Sequence, residues 1–226
     1  NTVLFPQQVI PIYIGRERSL KLINELDPKK RYIVVVAQED GSIEDPKPED
    51  LYSYGTLAQV LKVFDMPDNS KSAIVQGISR VKIMEYLSHD PYFSAAVASM
   101  EDKPIDDSLE VEALANNLRQ SFEDLMKVAP NLTEEHSGML KNIQKPNRLT
   151  DRAISVITIS NQEKQEILEE LDIKTRIEKA LNLISREIQR IKLGEEIQSE
   201  VHDEITKTQR EYYLREQMKA IKKELG

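Results

Sequence analysis

The chain has 226 residues, with 31 Lys plus Arg against 39 Asp plus Glu, a formal net charge of -8, no Cys, no Trp and 7 Gly. That length supports about one to two domains at roughly 150 residues each, and a composition 31% charged and 39% hydrophobic is too polar for a single compact barrel, so part of the chain must be solvated helix. The acidity argues against a generic phosphate-binding surface, because nucleic-acid affinity rests on Lys and Arg displacing counterions. Without Cys, disulfides, thiolate metal sites and a Cys nucleophile are excluded, which agrees with a reducing compartment. The longest aliphatic run, Ile33 to Ala37, is far short of the roughly 18 residues of a membrane span. The chain opens Asn1-Thr2-Val3-Leu4-Phe5-Pro6, with neither an initiator Met nor a basic leader region, and reads as a piece of a longer protein.

Residues 1 to about 103 read mainly as strands. Val9 to Ile14 and Tyr32 to Ala37 are β-branched and aromatic runs of strand length, and Pro11 places the first at a sheet edge or bulge. Between them Leu20, Ile23 and Leu26 recur at helical spacing, predicting a short helix over Glu17 to Leu26. After the polar loop Gly41 to Asp50, a strand is predicted from Thr56 to Phe64. Met66-Pro67-Asp68-Asn69-Ser70 supplies turn chemistry, so Ser72 to Gln76 should return as its hairpin partner. Further strands are predicted at Ser79 to Tyr86 and Tyr92 to Met100. Five or six short strands with one helix imply a closed or nearly closed barrel or roll.

The composition changes at Lys103-Pro104-Ile105-Asp106-Asp107-Ser108, where Asp107 or Ser108 can cap the next helix. Val111, Leu114, Leu118, Phe122, Leu125 and Ala129 then mark one amphipathic face ending at Pro130. Shorter helical pieces are predicted around Glu134 to Ile143, with Thr133 as N-cap, and over Leu149 to Ile157. Ser160 with Glu163 has capping-box spacing and opens a further piece, Gln162 to Leu171. Together these make a small helical bundle.

From Asp172, a plausible N-cap, to Gly226 there is no Pro and one internal Gly, Gly194. Ile177, Leu181, Ile184, Ile188 and Ile191 have the 4-3 steps of a coiled-coil seam. The seam restarts in shifted phase at Ile197, Val201 and Ile205, and again at Leu214, Met218, Ile221 and Leu225, which implies a bend or a change of partner. Unbroken, this arm would extend about 80 Å at 1.5 Å per residue, too long to bury its stripe on its own barrel. It carries 12 Lys plus Arg against 11 Asp plus Glu, leaving 19 against 28, net -9, for residues 1–171. The expected class is therefore α+β in three parts: a β-rich roll or barrel over 1–103, a helical subdomain over 104–171, and a long coiled-coil-like arm over 172–226.

No chemistry-bearing constellation stands out. There is no P-loop, no G-x-G-x-x-G and no G-x-S-x-G elbow. His89, His136 and His202 fall in different segments and read as surface histidines. The pairs Asp106-Asp107, Glu134-Glu135, Glu169-Glu170 and Glu195-Glu196 are neighbours on the chain, poorly placed for acid-base work and suited to helix starts or solvated faces. No catalytic, cofactor-binding or metal residue is expected. Two apolar sets point instead to binding: Leu4, Phe5, Pro6 and Pro11 with the hairpin tip Met66-Pro67, as a groove for extended hydrophobic peptide set against ordinary core packing, and Tyr212, Tyr213, Leu214 and Met218, as partner-facing residues of the arm.

Residues Gln209 to Gly226, reading QREYYLREQMKAIKKELG, closely resemble the segment that leads into the ATPase module of bacterial Lon proteases. Leu4-Phe5-Pro6, Pro11, Gly15-Arg16, Ser19, Gly55-Thr56, Ala58, Gly77, Arg80, Leu149-Thr150-Asp151, Glu163-Lys164-Gln165, Leu168-Glu169 and Asp172 to Arg176 continue the resemblance to the Lon amino-terminal domain. The hairpin departs from it at Pro67-Asp68-Asn69, where Pro-Asp-Gly is usual, but Asn tolerates positive φ and the turn is expected to survive. The resemblance implies a PUA-like roll, a helical subdomain and a long helix toward an AAA+ ring carrying a Ser-Lys peptidase. It implies capture of unfolded, damaged or degron-bearing proteins, self-association through the arm, a hexamer in the bacterial cytoplasmic parent, and ATP with Mg only in the module beyond Gly226. The acid balance and the short apolar runs, for their part, lead to no expected nucleic-acid or membrane partner. The competing readings are a coiled-coil scaffold whose head caps the arm, and a PUA-type RNA-binding protein, which the net charge of the head disfavours.

Overall fold

A computed structural model describes residues 1–226. In chain order the elements are β1 (Val9–Ile14), α1 (Glu17–Glu25), β2 (Tyr32–Val35), β3 (Tyr54–Asp65), β4 (Lys71–Ser88), β5 (Ser94–Ser99), α2 (Ser108–Val128), α3 (Glu134–Lys141), α4 (Pro146–Val156), α5 (Asn161–Glu169) and α6 (Ile173–Leu225). The strands form one antiparallel sheet in the order β1-β4-β3-β2, with β5 also paired to β4. Since β1 pairs with Lys71 to Gln76 and β5 with Val81 to Ser88, the two share one edge of β4 while β3 takes the other. No ladder joins β2 to β1 or β5, so the sheet is a roll that its ladders leave open and not a closed barrel.

The strands expected at Ser72 to Gln76 and Ser79 to Tyr86 are one continuous strand. Gly77 does not end it. A β-carbon at Gly77 would overlap the Phe5 carbonyl, so the glycine lets the N-terminal segment cross the sheet at close range. Helix α4 begins earlier than expected because Pro146 occupies its first turn, where a missing N–H costs nothing. The hairpin joining β3 to β4 forms as expected: Asn69 takes φ of 64°, and Met66 N–H donates to Ser70 O at 2.9 Å.

Two cores result. The sheet core places Ile10, Ile12, Ile14, Ala73, Val75 and Val60 under Leu20, Ile23 and Leu26 from the α1 region. The helical core joins Leu118, Phe122, Leu125, Leu149, Ile154, Ile167, Ile177 and Ile184. Helix α6 runs unbroken through Gly194, and its first third, through Ile191, belongs to this core. Thus the seam Ile177, Leu181, Ile184, Ile188 and Ile191, on an arm expected to be too long to bury its stripe on its own barrel, packs against α2 and α4 of the same chain. Spacing of 3 and 4 defines an apolar stripe without saying which chain covers it. From Lys192 onward every residue is exposed.

Caps behave locally as their residue types dictate. Asp107 accepts from Glu110 N–H at 3.0 Å and Asp172 from Thr175 N–H at 2.9 Å. Ser160 and Glu163 form a reciprocal capping box. His136 Nδ1 accepts the Thr133 N–H at 3.1 Å, so this histidine serves the start of α3.

Candidate functional site

The six residues predicted to make a peptide groove do not lie together on one surface. Leu4 and Phe5 are each 1% exposed. Leu4 enters the sheet core and Phe5 the helical core. This segment is pinned by Thr56 Oγ1, which donates to Leu4 O at 2.5 Å, and by Gln7 N–H, which donates to Gly77 O at 2.9 Å. Leu4 and Phe5 therefore join the two cores and are not available to a ligand, while Pro6 is half-buried.

Pro11, Met66 and Pro67 are exposed, and the strand register shows what accompanies them. Pro11 is opposite Ile74, which is opposite Lys62; Tyr13 is opposite Ser72, which is opposite Phe64. Directly opposed residues share a sheet face, so Pro11, Tyr13, Lys62 and Phe64 form one outward face whose reverse is the sheet core. Tyr13 is 68% and Phe64 40% exposed. Lys62 Nζ lies 4.9 Å from the Phe64 ring centroid, a cation-π placement that leaves the ring edge free. Tyr13 OH donates to Asp68 at 3.3 Å, tying the end of β1 to the hairpin tip beside Met66 and Pro67. Leu61, the extra residue at the bulge between Val60 and Lys62, is also exposed. Tyr13, Leu61 and Phe64 were missed from sequence because alternation marks two faces of a strand without saying which is covered.

What fixes this sheet relative to the helices is a buried ionic network. Arg80 on β4 makes two bonds of 2.7 Å to Asp151 on α4, and its Nε donates to Leu168 O at 2.7 Å. Arg176, fully buried at the start of α6, pairs with Asp102, donates from Nε to Glu170 O at 2.7 Å, and reaches Asp151 at 3.6 Å. Asn147 Nδ2 completes Asp102 at 2.9 Å. Burial opposes the ionised form of Asp102, yet the Arg176 guanidinium and the Asn147 amide hold its carboxyl below the usual range. Arg80, Asp151 and Arg176 come from three distant parts of the chain, each among the stretches that carry the resemblance.

On the arm, Tyr212, Tyr213, Leu214 and Met218 are all exposed, Tyr212 at 67%. Gln217 Nε2 donates to Tyr213 OH at 2.9 Å. No group of three or more His, Cys, Asp or Glu is placed to hold a metal ion, and no helix is long and apolar enough to cross a membrane. His89 instead sits among aromatic rings, 5.7 Å from Phe93 and 6.3 Å from Tyr86 between centroids.

The molecule is thus a roll locked to a helical bundle, with Pro11, Tyr13 and Phe64 exposed on one sheet face and a projecting helix. The chain belongs to the family of the substrate-binding domain of ATP-dependent protease La (LON), whose family model matches residues 1–186. It is 43% identical to the Lon protease of Koribacter versatilis and 38% identical to that of Dictyoglomus thermophilum, each over 100% of this chain and 28% of the relative. The chain thus spans about 28% of the length of these curated relatives. Among solved structures it is similar to the N-terminal domain of the Mycobacterium avium complex Lon protease, with a TM-score of 0.61 and 19% identity over 82% of this chain and 94% of that one. The Xanthomonas campestris Lon N-terminal domain protein gives 0.56 and 18%, over 80% and 92%. At such identities these structures carry the fold alone.

Proposed function

We propose that this chain is the receiving end of an ATP-dependent protease: it binds unfolded, damaged or degron-bearing proteins and positions them for an AAA+ motor, and itself performs no catalysis. The observation that carries this reading is the outward sheet face of Pro11, Tyr13 and Phe64, continued to Met66 and Pro67 at the hairpin tip, on a chain of the LON substrate-binding family. Flat aromatic and proline surfaces of this kind gain affinity from many weak apolar contacts. Roll (1–103), helical subdomain (104–171) joined by the start of α6 through Ile191, and the exposed remainder of the arm divide the work. ATP and Mg act in the module beyond the arm, and the parent works in the cytoplasm as a hexamer.

The free stripe of the arm supports the assembly role, because Ile197, Val201, Ile205, Leu214, Met218 and Ile221 are exposed on a helix that nothing in the chain covers. Several heads on one ring would raise effective concentration and make individually weak contacts useful. Calorimetry with one protein in folded and in permanently unfolded form is the test. Binding is expected only for the unfolded form, weakened at least fivefold by Tyr13→Ser with Phe64→Ser. Equal, negligible heat from both forms would overturn the reading.

A further inference from the structure

Every open sheet edge is a row of unpaired backbone N–H and C=O groups that invites another strand, and folded proteins normally blunt such edges with proline, charge, bulges or short length. Four stretches of edge are open here. Strand β1 carries Pro11. Strand β2 has four residues and follows Lys29-Lys30-Arg31. The outer edge of β3 beyond its pairing with β2 carries a bulge, Lys62 and Asp65. Strand β5 itself carries neither proline nor charge, since from Tyr92 to Met100 the chain has none of either, and the two bulges in its pairing lie on the β4 side.

Hydrogen bonding shows which of its groups are free. Met100 N–H donates to Arg80 O at 3.0 Å, and Val81 is opposite Ser99. Bonded and non-bonded pairs alternate in an antiparallel ladder, so Ala98 faces β4 while the backbone groups of Val97 and Ser99 point away from it. The other side of β4 agrees, since Ile83 N–H donates to Ser53 O at 2.7 Å, toward β3. No ladder lies beyond β5. Val97 is 38% exposed, and its neighbours Ala95, Ala96 and Ala98 are too small to hinder an approaching chain.

We propose that the outer edge of β5 captures an extended, uncharged segment of a client polypeptide by antiparallel or parallel strand addition, through the backbone groups of Val97 and Ser99. The occupant follows from the chemistry of the edge: alternating donors and acceptors on an extended backbone are matched by another extended backbone at about 4.8 Å. Because the recognised groups are backbone, the site accepts many sequences, and the small side chains of β5 impose little selection. A second copy of the chain is disfavoured, because each head brings net -9 over residues 1–171 and like charges oppose association. The inference rests on the reading that protein chains are the ligand.

The test uses the 226-residue chain and a peptide of alternating Val and Thr with two Lys at each end, beside versions N-methylated at alternate residues along either edge. Strand addition requires one edge of peptide N–H groups, so at least one methylated version should bind tenfold more weakly or worse at unchanged charge. Amide exchange at Val97 and Ser99 should slow at least tenfold on binding. Val97→Pro removes an outward donor without removing a β4 bond, and Val97→Lys places a charge on the edge with the backbone intact; each should weaken binding at least tenfold with an unchanged melting temperature. Binding that leaves Val97 and Ser99 unprotected and tolerates both methylated peptides would overturn the proposal while sparing the substrate-binding reading. Failure to bind any permanently unfolded protein would overturn both. Protection that appears without peptide and grows with protein concentration would assign the edge to a second copy and overturn the proposal.

Discussion

Arg176 presents a guanidinium with no exposed surface to two carboxylates, contributed by the linker after β5 and by α4. Moving such charges out of water is costly, and their mutual attraction repays it only when every partner is in place. Asp151 is the shared partner, since it binds both Arg80 and Arg176. Asp151→Ala would leave two buried cations short of compensation and should lower unfolding free energy by about 3–5 kcal/mol, read as a fall in the urea midpoint. Asp102 adds a pH dependence. Its folded-state pKa lies below the ordinary value of about 3.9 because Arg176 and Asn147 outweigh burial. The carboxylate binds a proton less readily folded than unfolded, so its contribution is complete above the ordinary Asp range and is lost as pH falls through the lowered value. Urea midpoints from pH 6 to 3 should therefore drop in acid, and Asp102→Asn should flatten part of that slope. Arg80, Asp151 and Arg176 stood in the sequence as family-like residues, but nothing in their spacing, tens of residues apart, said that they meet.

Glycines at two positions separate what an element needs from what its neighbours need. At Gly77 the constraint is tertiary: any β-carbon meets the backbone of Phe5. Gly77→Ala should push the N-terminal segment off the sheet and cost about 1–3 kcal/mol, detected as faster amide exchange at Gln7, whose N–H donates to Gly77 O. At Gly194 nothing lies within 4 Å of the added carbon. Gly194→Ala should stabilise the arm by about 1 kcal/mol and slow amide exchange around it, with no change in the melting of the head. The sequence showed the helices well because their apolar periods and capping residues are local. It divided β4 into two strands, Ser72 to Gln76 and Ser79 to Tyr86, and it offered Leu4 and Phe5 to a groove, because apolar side chains look the same whether they line a groove or fill a core.

At the scale of the whole molecule, stability and reach are separated along one helix. Through Ile191 the helix contributes to the core; beyond it, the stripe of Ile197, Val201, Ile205, Leu214, Met218 and Ile221 contacts nothing in the chain. Cutting after Ile191 should leave the melting temperature within about one degree, because the removed residues bury no surface, and it should reduce any self-association seen by sedimentation. Tyr212→Ala with Met218→Ala should act in the same direction without destabilising the head, and an unchanged oligomer profile would count against the arm as an assembly element. By itself the sequence determined the α+β class, most helix positions, the hairpin turn at Asn69, the acidity of residues 1–171 and the start of the last helix after Asp172, all of which follow from local propensity, composition and periodicity. Only the tertiary structure decided which apolar stripe is covered, which face of the sheet is free, and how Arg80, Asp102, Asp151 and Arg176 meet. Burial and ion pairing depend on which distant segments share space, and a one-dimensional pattern records the need for a partner without naming it.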